Sequence, residues 1–233
     1  MIRIITDFDG PIMDVSERYY QVYCFCLQQV LRPGQQGTQL SKSQFWQMKR
    51  AQVPEREIGQ RSGLDELQAQ EFAQLRRKTV HTIPYLAYDV PVPGAIATLE
   101  RLQASGIDLV VMTMRRVREL NDAFERYDLA RFFPDNRRYC LSNDYVKTAD
   151  VKDKPLLMQR AMAELPTAAE TWMVGDTEAD IAAAKSQGIK VIGVLSGIRD
   201  RDRLVHYQPD HIASNLAEAV EIALQDNAVR QAG

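Results

Sequence analysis

The sequence predicts an α/β protein whose parallel sheet is interrupted by an all-helical insert. Three observations carry that expectation. Short apolar runs rich in Val, Ile and Leu alternate with amphipathic stretches in the second half of the chain. One further run, IRIIT, stands alone at the start, and the segment between shows helical periodicity with no strand pattern. Strands separated by helices of this length imply parallel pairing with both faces of the sheet covered.

Taken in order, Ile2, Ile4 and Ile5 predict a buried first strand, ended by Gly10 and Pro11. Val15, Tyr19, Val22, Phe25, Cys26 and Val30 then recur at helical spacing until Arg32-Pro33-Gly34 stops the run. Further helices are expected over residues 41–51 and 64–81, with the polar VPEREIGQRSG as a turn between them. Asp89-Val90-Pro91-Val92-Pro93-Gly94 reads as an extended linker that leads into a helix through residue 106. Strands are expected near residues 108–112, 139–141, 171–174 and 190–194, with helices in the gaps. The core is thus assigned to residues 1–13 and 91–233, and the helical insert to 14–90. The terminal QDNAVRQAG is expected to fray.

Composition narrows the partners. With 45% apolar and 26% charged residues in 233, the chain has the make-up of a globular protein with a sizeable core. Its formal charge of −2 provides no basic footprint for nucleic acid and no polybasic signal for a membrane surface. Runs such as IDLVVMTM are too short to span a bilayer, and the first residues lack a signal-peptide layout, so a cytoplasmic location is the default. Cys24, Cys26 and Cys140 form no paired framework. Cys24 and Cys26 face different directions on a helix, and His81, His206 and His211 lack motif spacing, which disfavours zinc.

The chemistry is expected where the strands end. Asp7 and Asp9 close the first strand and, two positions apart, share one small volume, an arrangement that a divalent cation would relieve. In an open parallel sheet, ligands bind beyond the carboxyl ends of the strands. Thr113 ends the LVVM strand, and Met114 and Arg115 are expected to open a helix there, offering a hydroxyl and unpaired N–H groups to an anion. Read alone, Thr113 is better explained as an ordinary N-cap. The TWMVGD strand adds Asp176, placed for metal, and Asp180, placed to support it. So many carboxylates at one edge call for a cation and a lysine. Lys154, before Pro155, is the best-placed lysine, with Lys147 and Lys152 as alternatives.

DFDG, the strand ending in Thr113, Lys154-Pro155 and GDTEAD together resemble, in order, the four motifs of the haloacid dehalogenase superfamily. The insert and PVPGAIATLERLQASG resemble the helical-cap branch that contains phosphoglycolate phosphatase and β-phosphoglucomutase. The resemblance implies a Rossmann-like core carrying a helical cap domain. It also implies a Mg²⁺-dependent phosphatase that hydrolyses a small phosphorylated metabolite through an aspartyl-phosphate. Asp7 would be the nucleophile and Asp9 the acid and base. Mg²⁺ would be held by the carboxylates of Asp7 and Asp176 and by the backbone carbonyl of Asp9. Thr113 and Lys154 would hold the transferring phosphoryl group, and Asp180 would orient Lys154 or a metal-bound water.

Gly10, Met114 and Arg115 complete the expected phosphate site, and Arg61, on a glycine-flanked cap segment, is the expected substrate cation, beside Lys49 and Arg50. No cap lysine stands in the setting a Schiff base requires, which disfavours a phosphonatase. Pro11 departs from the family pattern, where Thr follows the glycine, so the loop must support Asp7 and Asp9 differently. Two alternatives to the phosphatase remain at this point, a phosphomutase of the β-phosphoglucomutase type and a catalytically weak binding or regulatory protein. The protein is expected to act as a monomer or homodimer.

Overall fold

A computed structural model describes residues 1–232, with side chains through Asp226. Its centre is a six-stranded, all-parallel sheet in the order β5-β4-β1-β6-β7-β8. The strands are β1 (Ile2–Thr6), β4 (Asp108–Arg116), β5 (Arg138–Leu141), β6 (Glu170–Gly175), β7 (Lys190–Val194) and β8 (His211–Ala213). Successive side chains of a strand face opposite ways, and the core is partitioned accordingly. Ile4, Val111, Val174 and Ile192 pack on one side with α6 (Ala95–Ala104), α7 (Val117–Tyr127) and α11 (Leu216–Ala232). Ile5, Val110, Met173 and Val191 pack on the other with α8 (Asp150–Glu164), α9 (Glu178–Ser186) and α10 (Arg201–Tyr207). This double burial is why the strands read as continuous apolar runs.

Strand β1 lies between β4 and β6, so the chain leaves it on one side and returns on the other. That reversal opens a crevice at the carboxyl ends of β1, β4 and β6, and the three strands deliver Asp7, Thr113 and Asp176 to it.

Between β1 and α6 come five helices, α1 (Ser16–Val30), α2 (Lys42–Arg50), α3 (Glu55–Arg61), α4 (Glu66–Thr79) and α5 (Ile83–Leu86). They have a hydrophobic cluster of their own, which includes Val22, Tyr23, Cys26, Phe45, Ile58 and Phe72. Tyr23 stacks on Phe45 at 4.7 Å and meets Phe72 edge-on at 6.0 Å. The segment's entrance and exit are sewn together. β2 (Met13–Asp14) pairs antiparallel with β3 (Val90–Pro91), and the Val92 N–H donates to the Ile12 carbonyl at 2.8 Å. The stretch expected to be a plain linker is therefore half of a ribbon.

Other expectations also need correction. VPEREIGQRSG is no mere turn, because it contains α3. Its first turn carries Glu55 and Glu57 and its last Arg61, charges that suit the helix dipole without a long apolar face to reveal it. Nor do Met114 and Arg115 open a helix, since β4 runs on to Arg116 and α7 begins at Val117. The register between β4 and β5 shifts between Met112 and Arg116, so the strand end bends instead of stopping. The segment expected to fray follows α11 as far as Ala232, and Gly233 lies outside the described residues.

Candidate active site

Asp7 sits where β1 ends, its N–H donating to the Val174 carbonyl at 2.8 Å. Its Oδ1 accepts the Phe8 N–H at 2.7 Å and lies 3.0 Å from Lys154 Nζ. Lys154, near the start of α8, is buried and reaches Asp180 Oδ1 at 2.5 Å. Burial works against the lysine's charge, but Asp180 and Asp7 outweigh it and raise its pKa. This places Lys154 at the carboxylates. Lys147 pairs with Asp150 at 2.7 Å on the cavity wall, and Lys152 is exposed. The neighbouring Asp153 secures the approach to α8 by accepting the Thr148 N–H at 2.8 Å and the Thr148 hydroxyl at 2.7 Å.

Asp180 Oδ2 accepts the N–H groups of Asp176 and Thr177 at 3.1 and 2.9 Å, and the Thr177 hydroxyl at 2.8 Å. It thus caps α9 and holds Lys154 at once. Asp176 accepts the Ile198 N–H on Oδ2 at 2.6 Å, whereas its buried Oδ1 has no hydrogen-bond partner. Burial, then the charge of Asp180, pushes the Asp176 carboxyl up to about 7. Asp7 is raised too, mainly by burial, with Lys154 acting against the rise. Backbone must come very close to hold Asp176 there. A Cβ on Gly10 would lie 2.4 Å from Asp176 Cγ, and one on Gly197 1.9 Å from its Oδ2, so neither glycine tolerates a side chain.

One oxygen each from Asp7, Asp176 and Asp180 lies within 4.8 Å of the others. Three buried carboxylates so close together, with the carboxyls of Asp7 and Asp176 pushed up and Asp176 Oδ1 unpartnered, are the donor set a hard divalent cation takes. The residues present therefore fit a metal.

Asp9 is held between two guanidiniums. Its Oδ2 accepts from Arg18 at 2.8 Å, and its Oδ1 accepts from Arg115 Nε at 2.8 Å. Burial would raise this carboxyl, but Arg115 and Arg18 together hold it well below the usual carboxylate range. Both guanidiniums are buried and also contact Asp89, which is buried immediately before the exit strand of the ribbon: Arg18 Nε lies 3.0 Å from Asp89 Oδ1, and Arg115 donates to Asp89 Oδ2. Arg115 lies over the Phe8 ring at 4.9 Å as well. So Arg115, expected to bind substrate phosphate, lines the cavity with its charge already engaged by two carboxylates.

Pro11 turns out to require little compensation. Gly10, at φ 93°, donates its N–H to the Met13 carbonyl, and Ile12 and Met13 both donate to the Phe8 carbonyl. The Ser196 hydroxyl donates to the Gly10 carbonyl at 2.8 Å. The turn is closed by its neighbours, so the N–H that Pro11 lacks is not missed.

Thr113 is buried, with its Oγ1 accepting the Arg115 N–H at 3.2 Å, which leaves its proton available to a ligand. It shares with Asp7, Asp9, Lys154 and Asp176 a cavity of about 100 Å³. Met114 also lines that cavity. Tyr19 and His81 line it as well, and sequence reasoning placed neither there. Burial, then Arg18 and Lys147, lowers His81 to about 3, so its ring is neutral, with Nδ1 3.4 Å from Arg18.

The cations of the helical segment have other partners. Arg61 is exposed, pairs with Glu57 at 2.5 Å, and does not line this cavity. Its glycine neighbours mark the end of α3 and not a loop that reaches inward. Arg50 donates to the carbonyls of Leu195 at 2.9 Å and Arg199 at 3.1 Å, joining the helical segment to the sheet domain. Gln52 donates to Glu178 and accepts from Tyr207 at the same seam. Lys49 pairs with Glu55, and burial brings it down to about 8, but it lines a neighbouring cavity without Asp7.

The model of the haloacid dehalogenase-like hydrolases matches residues 3–188. The chain belongs to this family. This hydrolase is 28% identical over 166 residues to a phosphoglycolate phosphatase of Vibrio vulnificus strain CMCP6, spanning 69% of the chain and 67% of the relative. It is also 27% identical over 229 residues to the "Probable phosphatase IndB" of Dickeya dadantii, covering 94% of the chain and 92% of the relative. A haloacid dehalogenase-like hydrolase from Streptococcus pneumoniae has the same fold, with a TM-score of 0.68 at 21% identity over 94% of this chain and 97% of that one. Among the described residues, no helix is long and apolar enough to cross a membrane.

Proposed function

We propose that this hydrolase is a Mg²⁺-dependent phosphatase that cleaves a small phosphorylated metabolite through an aspartyl-phosphate on Asp7. The observation that carries the reading is the junction of Asp7, Lys154, Asp176 and Thr113 at one buried sheet edge. Asp7 and Asp176, with the Asp9 backbone carbonyl, would hold the metal. When bound, the metal supplies positive charge that offsets the carboxylates and the phosphoryl oxygens.

Phe8 N–H and Lys154 fix the Asp7 carboxylate by one oxygen and leave the other to attack phosphorus. Lys154 and the Thr113 hydroxyl stabilise the charge on the transferring oxygens, where a preorganised donor is worth most. The bond from phosphorus to the leaving oxygen breaks as the Asp7 bond forms, and Asp9 delivers the proton that the leaving oxygen needs. Asp9 therefore has to part from at least one guanidinium to gain that proton. Its position next to the β2–β3 ribbon couples this change to movement of the helical segment. Residues 14–90 act as the cap in this reading, and residues 1–13 and 91–233 as the core. Arg50 and Gln52 fasten the closed form, which excludes water from the cavity during transfer.

The test is phosphate release from an aryl phosphate and a metabolite panel, with Mg²⁺, with chelator, and with Asp7→Asn. Release that needs both Mg²⁺ and Asp7 is expected. Isomerisation of a sugar phosphate without release would assign a mutase instead, and no turnover of any kind would leave the binding-protein alternative standing.

A further inference from the structure

A second and larger cavity, of about 830 Å³, opens directly beside the catalytic one, and the two share His81, Met114, Lys147 and Asp150 as walls. Its lining is basic. Arg77 and Lys78 enter from the end of α4, Arg116 and Arg118 from the end of β4 and the start of α7, and Lys147 from the loop before α8. Glu119 and Asp150 are the two carboxylates among these five cations, in a chain whose formal charge is −2.

Those carboxylates are spent locally. Asp150 pairs with Lys147 at 2.7 Å, and Glu119 lies 3.5 Å from Arg116. Among the described residues, the side chains of Arg77, Lys78 and Arg118 have no carboxylate partner. For Arg77 and Lys78 a simpler explanation exists, since cations suit the last turn of a helix. That explanation fails for Arg118, which stands in the first turn of α7, where the helix dipole disfavours positive charge. Cations from the helical segment and from the sheet domain thus face one concave space, where their potentials add and an anion relieves their repulsion.

Building on the phosphatase reading, we infer that the substrate carries a second phosphate group, which this basic cavity receives while the scissile phosphoryl group sits at Asp7. Three uncompensated cations exceed what a single carboxylate needs, and they match a phosphate, which brings a charge near −2 and three acceptor oxygens. The cavity's volume also leaves room for the carbon skeleton between the two phosphates.

Binding decides the matter without turnover. Calorimetry with Asp7→Asn protein and Mg²⁺ compares a sugar bisphosphate with its monophosphate. About 10-fold to 100-fold tighter binding of the bisphosphate is expected for two or three charge-assisted contacts in a partly solvated site. In the Arg77→Ala/Lys78→Ala/Arg118→Ala background that ratio should fall towards one, and Arg118→Lys alone should keep most of it. These exposed positions bear no core packing, and a Tm within a few degrees of the parent confirms that each variant folds. Equal affinities in the parent, or a preference that survives the triple substitution, would overturn the inference. So would tighter binding of a phosphate-carboxylate than of the bisphosphate, or equal binding of an unrelated polyanion such as heparin. Turnover of monophosphates by the wild type bears on the phosphatase reading alone, so the two failures are distinguishable.

Discussion

Replacing Asp176 by Asn should make the metal-free protein more stable while removing its response to Mg²⁺. The carboxyl is buried beside Asp180 and Asp7 and titrates at about 7 in place of 3.8. A raised folded pKa means that the folded state holds its proton more firmly than the unfolded chain does. The corresponding stability is present below about pH 4 and is lost as the pH rises through 7. Each pH unit of the rise corresponds to about 1.4 kcal/mol, so ionised Asp176 destabilises the empty site by up to about 4 kcal/mol at pH 8. Asn keeps an oxygen to accept the Ile198 N–H and presents an amide N–H₂ to the neighbouring carboxylates. Allowing for relaxation, about 2 kcal/mol of stabilisation should appear, or about 4–8 °C in Tm for a chain of this size. Thermal unfolding with chelator at pH 8 and at pH 4 measures it, and the gain should vanish at the lower pH. Saturating Mg²⁺ should raise the wild-type Tm and leave the variant unmoved. A variant that is less stable than wild type at pH 8, or one that still responds to Mg²⁺, would refute the reasoning.

Protons compete with metal for the same carboxylate, so Mg²⁺ affinity should weaken steadily as pH falls below about 7, read by calorimetry between pH 5.5 and 8. Arg50→Ala should loosen the closed form and lower kcat/KM by about 10-fold with little change in Tm, because its lost contacts lie at the seam and not in a core. Asp89→Ala should lower stability by about 3–5 kcal/mol in denaturant titrations, since it leaves two buried guanidiniums sharing one carboxylate. Pro11→Thr should change kcat by less than about threefold, because its neighbours already close the turn. A large gain of activity there would show that the proline impairs catalysis.

The sheet and its candidate catalytic edge were legible because local patterns encode them. Alternating apolar residues such as Ile4 and Ile5, or Val110 and Val111, belong to strands buried on both faces, and each run ends at the residue that the crevice uses. What escaped was non-local or weakly patterned. Asp89 looks like part of a proline-rich linker until Arg18 and Arg115, distant in sequence, are seen to meet on it. His81 carries no motif and enters the cavity only because α4 and α5 turn it inward. Arg61 misled because flanking glycines suggested a short loop, whereas the segment is a short helix with Glu57 one turn away. Arg50, read as a substrate cation, binds backbone carbonyls across the seam, and no single-residue signal distinguishes those two uses. The same limit applies to Asp9, since DFDG announces a carboxylate but not the guanidiniums that hold it ionised.

The central claim is that Asp7 accepts the phosphoryl group. Acid quenching of the wild-type protein during turnover of an aryl phosphate with Mg²⁺, followed by mass spectrometry of the peptide that contains Asp7, tests it most directly. A phosphate adduct on Asp7 that hydroxylamine removes and that is lacking in Asp7→Asn is the predicted result. Sustained phosphate release with no adduct on Asp7, or with undiminished release by Asp7→Asn, would contradict it.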